Sequence, residues 1–255
     1  MEHVQALVSS QSTQQEHKRA VEGVADALES KTLTAVSLVS ALEAATPTRS
    51  AALVAISDVT ACLQGRGVSP VDDEWRAYCE PAIQALRQGD TSALASALHV
   101  LLPVAASPAL RRSVLAPRSP SELAALQYDV LNTSLALGPS LRLGARVEAV
   151  VLLWALVVAH TPSPHDAAAL AALLTQLYTQ QRDAALLNNS FTTLAMLLRA
   201  ADVAELQPLA GALFAAFADY YPILAVPEGA PVGRDELAGA LQSCFAATNA
   251  FAEHA

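Results

Sequence analysis

Leu33-Thr34-Ala35-Val36-Ser37-Leu38-Val39-Ser40-Ala41-Leu42, a break at Thr46-Pro47-Thr48-Arg49, then Ala52-Leu53-Val54-Ala55-Ile56 running on to Val59 and Leu63: this is the stretch that decides the fold. On each side of the break, apolar residues recur at the three- and four-residue spacing of a helix with one buried face. The break places a cap-forming threonine ahead of a proline. At the first helical position a proline costs nothing, because its missing N–H would be unpaired there anyway. The spacing predicts two helices joined by a short turn.

The same unit recurs along the chain. Breaks fall at Gly65 to Pro70, Gly89-Asp90, Pro103 to Pro108, Pro117 to Pro120, Gly138-Pro139, Thr161 to Pro164 and Pro222 to Pro231. Between them lie periodic apolar sets: Leu123, Leu126, Val130 and Leu131; Leu170, Leu173, Leu174 and Leu177; Phe191, Leu194, Leu197 and Leu198; and Leu206, Leu209, Leu213, Phe214 and Phe217. Ser119-Pro120-Ser121-Glu122 is a second start signal of the Thr46-Pro47 kind. About a dozen helices of ordinary globular length are expected. Their pairing at intervals compatible with ~40–47 residues fits HEAT or armadillo hairpins, each burying its apolar face on the next. The fold class predicted is all-α, a HEAT-like α-solenoid of stacked helical hairpins in one domain over 1–255; a compact helical bundle is the alternative.

Composition agrees. The chain has 255 residues and is 53% hydrophobic but 5% aromatic, so its apolar content is mostly the helix formers Ala and Leu, with Val. No run alternates long enough to read as a half-buried strand. The run VEAVVLLWALVVA, Val147 to Ala159, is shorter than the ~20 residues of a membrane span. It reads as a helix buried on nearly all sides, with Arg146 and Glu148 at its start. Met1-Glu2-His3-Val4 lacks the basic-then-apolar order of a secretory signal.

The net charge of −9 and the lack of a basic run disfavour direct nucleic-acid binding. Arg111-Arg112 with Arg118 is the nearest basic group, and it reads as loop solvation. Cys62, Cys79 and Cys244 share no ligand spacing and read as small buried hydrophobes of a reducing compartment. His3, His17, His99, His160, His165 and His254 form no HxxxH or HExxH helix face. His160, His165 and Asp166 flank a Thr-Pro-Ser-Pro turn; they would need a further ligand to hold a metal, and they read as loop residues. There is no GxSxG, and Glu80-Pro81 after Cys79 reads as a helix boundary. Gly65-Arg66-Gly67 reads as a loop rather than a phosphate cradle. Trp75 and Tyr78 read as core aromatics on a helix whose start carries Asp72, Asp73 and Glu74, with a partner-binding aromatic as the alternative. No catalytic, cofactor or metal residue is assigned, and no cofactor is expected.

The last quarter is the most distinctive: Phe217-Ala218-Asp219-Tyr220-Tyr221-Pro222-Ile223, a spacer with Pro227 and Pro231, then Arg234-Asp235-Glu236-Leu237 opening a helix through Leu241 and Thr248 to Phe251. The motif Tyr221, Pro222, Ile223, Arg234, Asp235, Leu237, Thr248 and Phe251 resembles the N-terminal region of the MMS-nineteen family. These are HEAT-repeat scaffolds of the cytosolic iron–sulfur protein assembly (CIA) targeting complex, also described as nucleotide excision repair and transcription proteins. Leu33 to Leu42 and Pro47-Thr48-Arg49 with Ala52, Leu53, Ile56 and Val59 resemble that family's first two repeat helices. The spacer here, Leu224 to Gly233, is shorter than the family's usual loop.

The resemblance implies a non-catalytic adaptor corresponding to the N-terminal part of a longer scaffold. Its partners would be other targeting-complex subunits and apo iron–sulfur clients, such as XPD-type helicases and DNA polymerases. It would act in cytoplasm and nucleus, without direct nucleic-acid or membrane contact. Three scattered cysteines fall short of a cluster's usual four thiolates, so the chain is expected to ligate none itself. A HEAT-type adaptor in nuclear transport or vesicle coat assembly is the alternative, and an all-α enzyme with a deep titratable pocket is a further class. The partner-binding surface is not assigned from sequence.

Overall fold

Punctuation by caps and glycines shapes the chain throughout the computed structural model, which describes residues 2–8, 13–46, 48–115, 117–221, 226 and 230–252. Of residues 2, 3 and 248–252 only the backbone is described. The described residues form fourteen α-helical segments and no strand. The chain divides into two compact units, Met1–Pro117 and Arg118–Ala255.

In the first unit, α1 (Glu2–Val8), α2 (Gln14–Glu29), α3 (Ala35–Ala45), α4 (Arg49–Gly65), α5 (Asp72–Arg87) and α6 (Leu94–Ala106) follow one another. The short α7 (Pro108–Leu110) runs into a π-helical turn at Arg111–Leu115. α2, α4 and α6 pack side by side as one layer, and α3 and α5 form a second layer against them. Fully buried Leu38, Leu42, Leu53, Ile56, Ile83 and Leu94 fill the space between.

The second unit repeats the scheme. It contains α8 (Pro120–Leu137), a 3-10 turn at Gly138–Ser140, α9 (Leu143–Ala159), α10 (Pro164–Tyr178), α11 (Ala184–Ala200), the short α12 (Val203–Leu206), α13 (Ala210–Ala218) and α14 (Arg234–Ala252). α8 and α10 form one layer with α12 and α13; α9, α11 and α14 form the other. Each unit is thus a short α-solenoid stack, in which most of the longer helices touch a sequence neighbour and the helix two along.

The helix starts follow local chemistry. Ser119 Oγ accepts the Glu122 N–H at 3.3 Å while the Glu122 carboxylate accepts the Ser119 N–H at 2.9 Å, a reciprocal cap. Ser163 caps α10 through the Asp166 N–H, and Asp183 caps α11 through the Leu186 N–H. Each such cap contributes about 1 kcal/mol. Two ends are closed by glycine: Gly67 (φ 74°) and Gly89 (φ 63°) turn left-handed, so that the Val68 and Asp90 N–H groups reach back to the Leu63 and Ala85 carbonyls.

Five expectations are corrected. Thr46 does not cap α4. It ends α3, its N–H and hydroxyl both on the Leu42 carbonyl, while Thr48 caps α4 through the Ala51 N–H. Pro47 lies outside the described residues. Pro81 is not a helix boundary but sits inside α5, and Pro103 sits inside α6, which ends only at Ala106. Each proline forfeits one ladder bond to the residue a turn earlier, Ala77 or His99. Those residues are half-exposed and exposed, so water can reach the turn, and burial of the rest of each helix outweighs the loss. The set Leu206 to Phe217 is not one helix: Gln207-Pro208-Leu209 separates α12 from α13. Arg111 is no loop solvator either, since its guanidinium donates to the Ala105 carbonyl at the end of α6.

The apolar run of α9 is buried at Val150, Leu152, Leu153, Leu156 and Val157. Among the described residues no single helix is long and apolar enough to cross a membrane.

Candidate partner-binding surface

Adjacent tyrosines at the end of α13 point opposite ways. Tyr220 is buried, and its hydroxyl donates to the Tyr178 carbonyl at 2.9 Å. Its ring meets Tyr178 and Phe191 at 6.0 and 5.6 Å between centroids, with the Arg182 guanidinium over it at 5.1 Å. Tyr221 is 71% exposed, with its ring edge against Phe245 of α14 at 6.3 Å. Phe245 also contacts Phe217 at 4.8 Å and the half-exposed Phe214 at 5.6 Å. Phe214, Tyr221 and Phe245 therefore form an aromatic patch over a buried Phe217. Exposed aromatic clusters are enriched at protein-contact surfaces.

The motif residues distribute around this patch. Leu237 and Leu241 of α14 are buried, while Arg234 and Asp235 stand exposed at its first turn. Pro222 and Ile223 lie outside the described residues. Thr248 and Phe251 lie on the last turns of α14, where only the backbone is described. The patch was legible in part: Phe214 and Phe217 stand in the periodic set, but Phe245 joins them only through the packing of α13 on α14.

The other chemistry-bearing residues are held in structural contacts. His165 Nδ1 lies 3.0 Å from the Glu205 carboxylate, and Asp166 accepts from the Tyr128 hydroxyl at 2.9 Å, so the residues of the Thr-Pro-Ser-Pro turn face different partners. Hydrogen bonds from Ser163 and Tyr128 hold the Asp166 carboxyl below the usual carboxylate range. Burial, with the Asp166 bond, pushes the Tyr128 phenol up to about 12. Arg66 pairs with Asp26 and Glu29 at 2.6 and 3.0 Å. Trp75 and Tyr78 are buried at 1% exposure, as read from the sequence.

Cys79 and Cys244 are buried, whereas Cys62 is half-buried. Burial pushes the Cys244 thiol up to about 12, and its Sγ donates to the Phe191 carbonyl at 3.1 Å. Maleimide at neutral pH should therefore modify Cys62 first, with Cys79 and Cys244 reacting only after denaturation. Peptide mass mapping of the labelled chain checks this, and equal labelling of Cys244 and Cys62 under native conditions would contradict it.

Compared with known families, residues 87–255 match the N-terminal MMS19 family model, described as a Dos2-interacting transcription regulator of RNA-Pol-II. The chain belongs to the MMS-nineteen family. The match covers α6 to α14 and the whole Tyr221 to Phe251 motif; the Leu33 to Val59 resemblance lies N-terminal to it. No curated protein and no solved structure matches significantly. Membership makes the chain a scaffold-type protein linked to transcription and repair, whose work is interaction with other proteins.

Proposed function

We propose that this chain is an adaptor of cytosolic iron–sulfur protein assembly, presenting apo-protein clients for cluster insertion. The observation that carries the reading is the family match over residues 87–255, which takes in the Tyr221 to Leu237 constellation. The partners are other targeting-complex subunits and apo-enzymes of DNA repair and replication, XPD-type helicases among them. The sites of action are cytoplasm and nucleus. The iron–sulfur cluster is cargo handled by its partners. A stacked-helix chain supports this work physically, because each added hairpin extends a surface for protein contact without needing a pocket for chemistry.

Affinity purification of the tagged chain from its own cells, followed by mass spectrometry, tests the proposal. Iron–sulfur assembly subunits and apo helicases should be enriched. Ran-type GTPases or coat subunits in their place would replace it with the transport or coat reading.

A further inference from the structure

A groove of about 930 Å³ opens within the first unit, lined from α4 and α6. Ser57, Thr60, Ala61 and Gln64 of α4 face it at positions i, i+3, i+4 and i+7. His99, Leu102, Pro103 and Ala106 of α6 face it at the same spacing, so one stripe from each neighbouring helix forms a wall. The chain bends by 97° after α6, and Ala109 and Leu110 on the following turn close one end. Asp72 and Trp75 from the start of α5 complete the lining.

Two features define what the groove would hold. Trp75 is 1% exposed, and its indole N–H is buried and meets no acceptor among the described residues. A buried donor without an acceptor costs about 1–3 kcal/mol, which an arriving carbonyl would recover. The charge is one-sided: among the described lining residues Asp72 is the one carboxylate, and there is no lysine or arginine. The α5 N-terminus already carries Asp72, Asp73 and Glu74, which repel a further anion there. The volume falls at the upper end of the roughly 300–1,000 Å³ of drug-sized ligand sites, room for a short segment of chain.

We propose that this groove binds an extended peptide segment of a partner protein, pairing a basic side chain with Asp72 and seating a neighbouring apolar side chain between Leu102 and Pro103. A backbone carbonyl of the segment accepts from the Trp75 indole. The site stands whether or not the partner is an iron–sulfur protein.

The full chain has two tryptophans, so a ¹⁵N-labelled sample gives two indole N–H signals, and Trp154→Phe identifies the one from Trp75. The probes are the synthetic peptide Gly-Ala-Arg-Leu-Pro-Ala-Gly and its counterpart with Glu for Arg. The basic peptide should move the Trp75 indole signal downfield at sub-millimolar concentration, and the acidic peptide should bind at least about tenfold more weakly. Asp72→Asn should weaken the basic peptide about threefold, the size of an exposed charge pair. Ala61→Arg, at an exposed position on the groove wall, should abolish the shift while leaving the fold intact. Equal binding of both peptides, an unmoved Trp75 signal, or an unchanged response in Ala61→Arg would each overturn the proposal.

Discussion

Replacing Arg146 by alanine should destabilise the second unit by about 3–5 kcal/mol. Arg146 lies in the first turn of α9 with 9% of its surface exposed. Its Nε donates to the Leu141 carbonyl at 3.1 Å, Nη1 to Leu177 at 3.2 Å and Nη2 to Gly138 at 2.6 Å. Those acceptors belong to the turn between α8 and α9 and to the last turn of α10. The last turn of a helix exposes carbonyls with no partner in the helix and carries partial negative charge, and a planar cation with a fixed fork of donors answers both. Alanine would remove the guanidinium from all three carbonyls in a region water reaches poorly, leaving that of Gly138 only the Leu141 N–H at 3.2 Å. Arg146→Lys should recover part of the loss, since one ammonium cannot span three acceptors set around a guanidinium. Urea unfolding gives the difference directly. A loss below about 1 kcal/mol for Arg146→Ala would show that the three bonds are replaced by solvent.

Arg146 also shows where sequence reading reaches and where it stops. Signals confined to one turn were legible. Ser119-Pro120-Ser121-Glu122 announces α8, Asp72-Asp73-Glu74 announces α5, and Arg234-Asp235 opens α14, because cap and charge effects act over three or four residues. The all-α class follows from the same local evidence. What was not legible depends on partners far along the chain. Arg146 stood in the sequence as a charge at the head of an apolar run, but one of its acceptors, Leu177, is 31 residues away. Gln127 is fully buried and donates to the Leu156 and His160 carbonyls about thirty residues on, with nothing in its neighbourhood to mark it.

The prolines make the same point from the opposite side. Local rules read Pro81 and Pro103 as boundaries, yet tertiary burial of Cys79, Ala82 and Ile83 around one, and of Leu101, Val104 and Ala105 around the other, carries both helices through. For the motif, the sequence placed the start of α14 correctly, but it could not distinguish Tyr220 from Tyr221. One is a buried brace and the other an exposed contact, and only the packing of α13 against α10 and α14 separates them.

That brace yields the other large effect. Phe191→Ala should cost about 3–5 kcal/mol and lower the thermal midpoint by roughly 10–20 °C. Phe191 of α11 is completely buried, with ring centroids 5.5 Å from Tyr178 and 5.6 Å from Tyr220, both edge-on. Its own carbonyl takes the Cys244 thiol of α14. One residue thus stands where α10, α11, the end of α13 and α14 converge, so its truncation leaves a cavity at that junction. Phe191→Leu keeps most of the apolar area but loses the edge-to-face contacts, so it should cost less than half as much. Tyr220→Phe, which removes a single bond to the Tyr178 carbonyl, should cost about 1 kcal/mol. The ordering matters more than any one value. Calorimetry on the three variants should rank Phe191→Ala well above Phe191→Leu, with Tyr220→Phe smallest. If Tyr220→Phe proved the most damaging, the hydroxyl bond rather than ring packing would be holding the brace. The exposed Tyr221 beside it would then owe its position to a polar anchor.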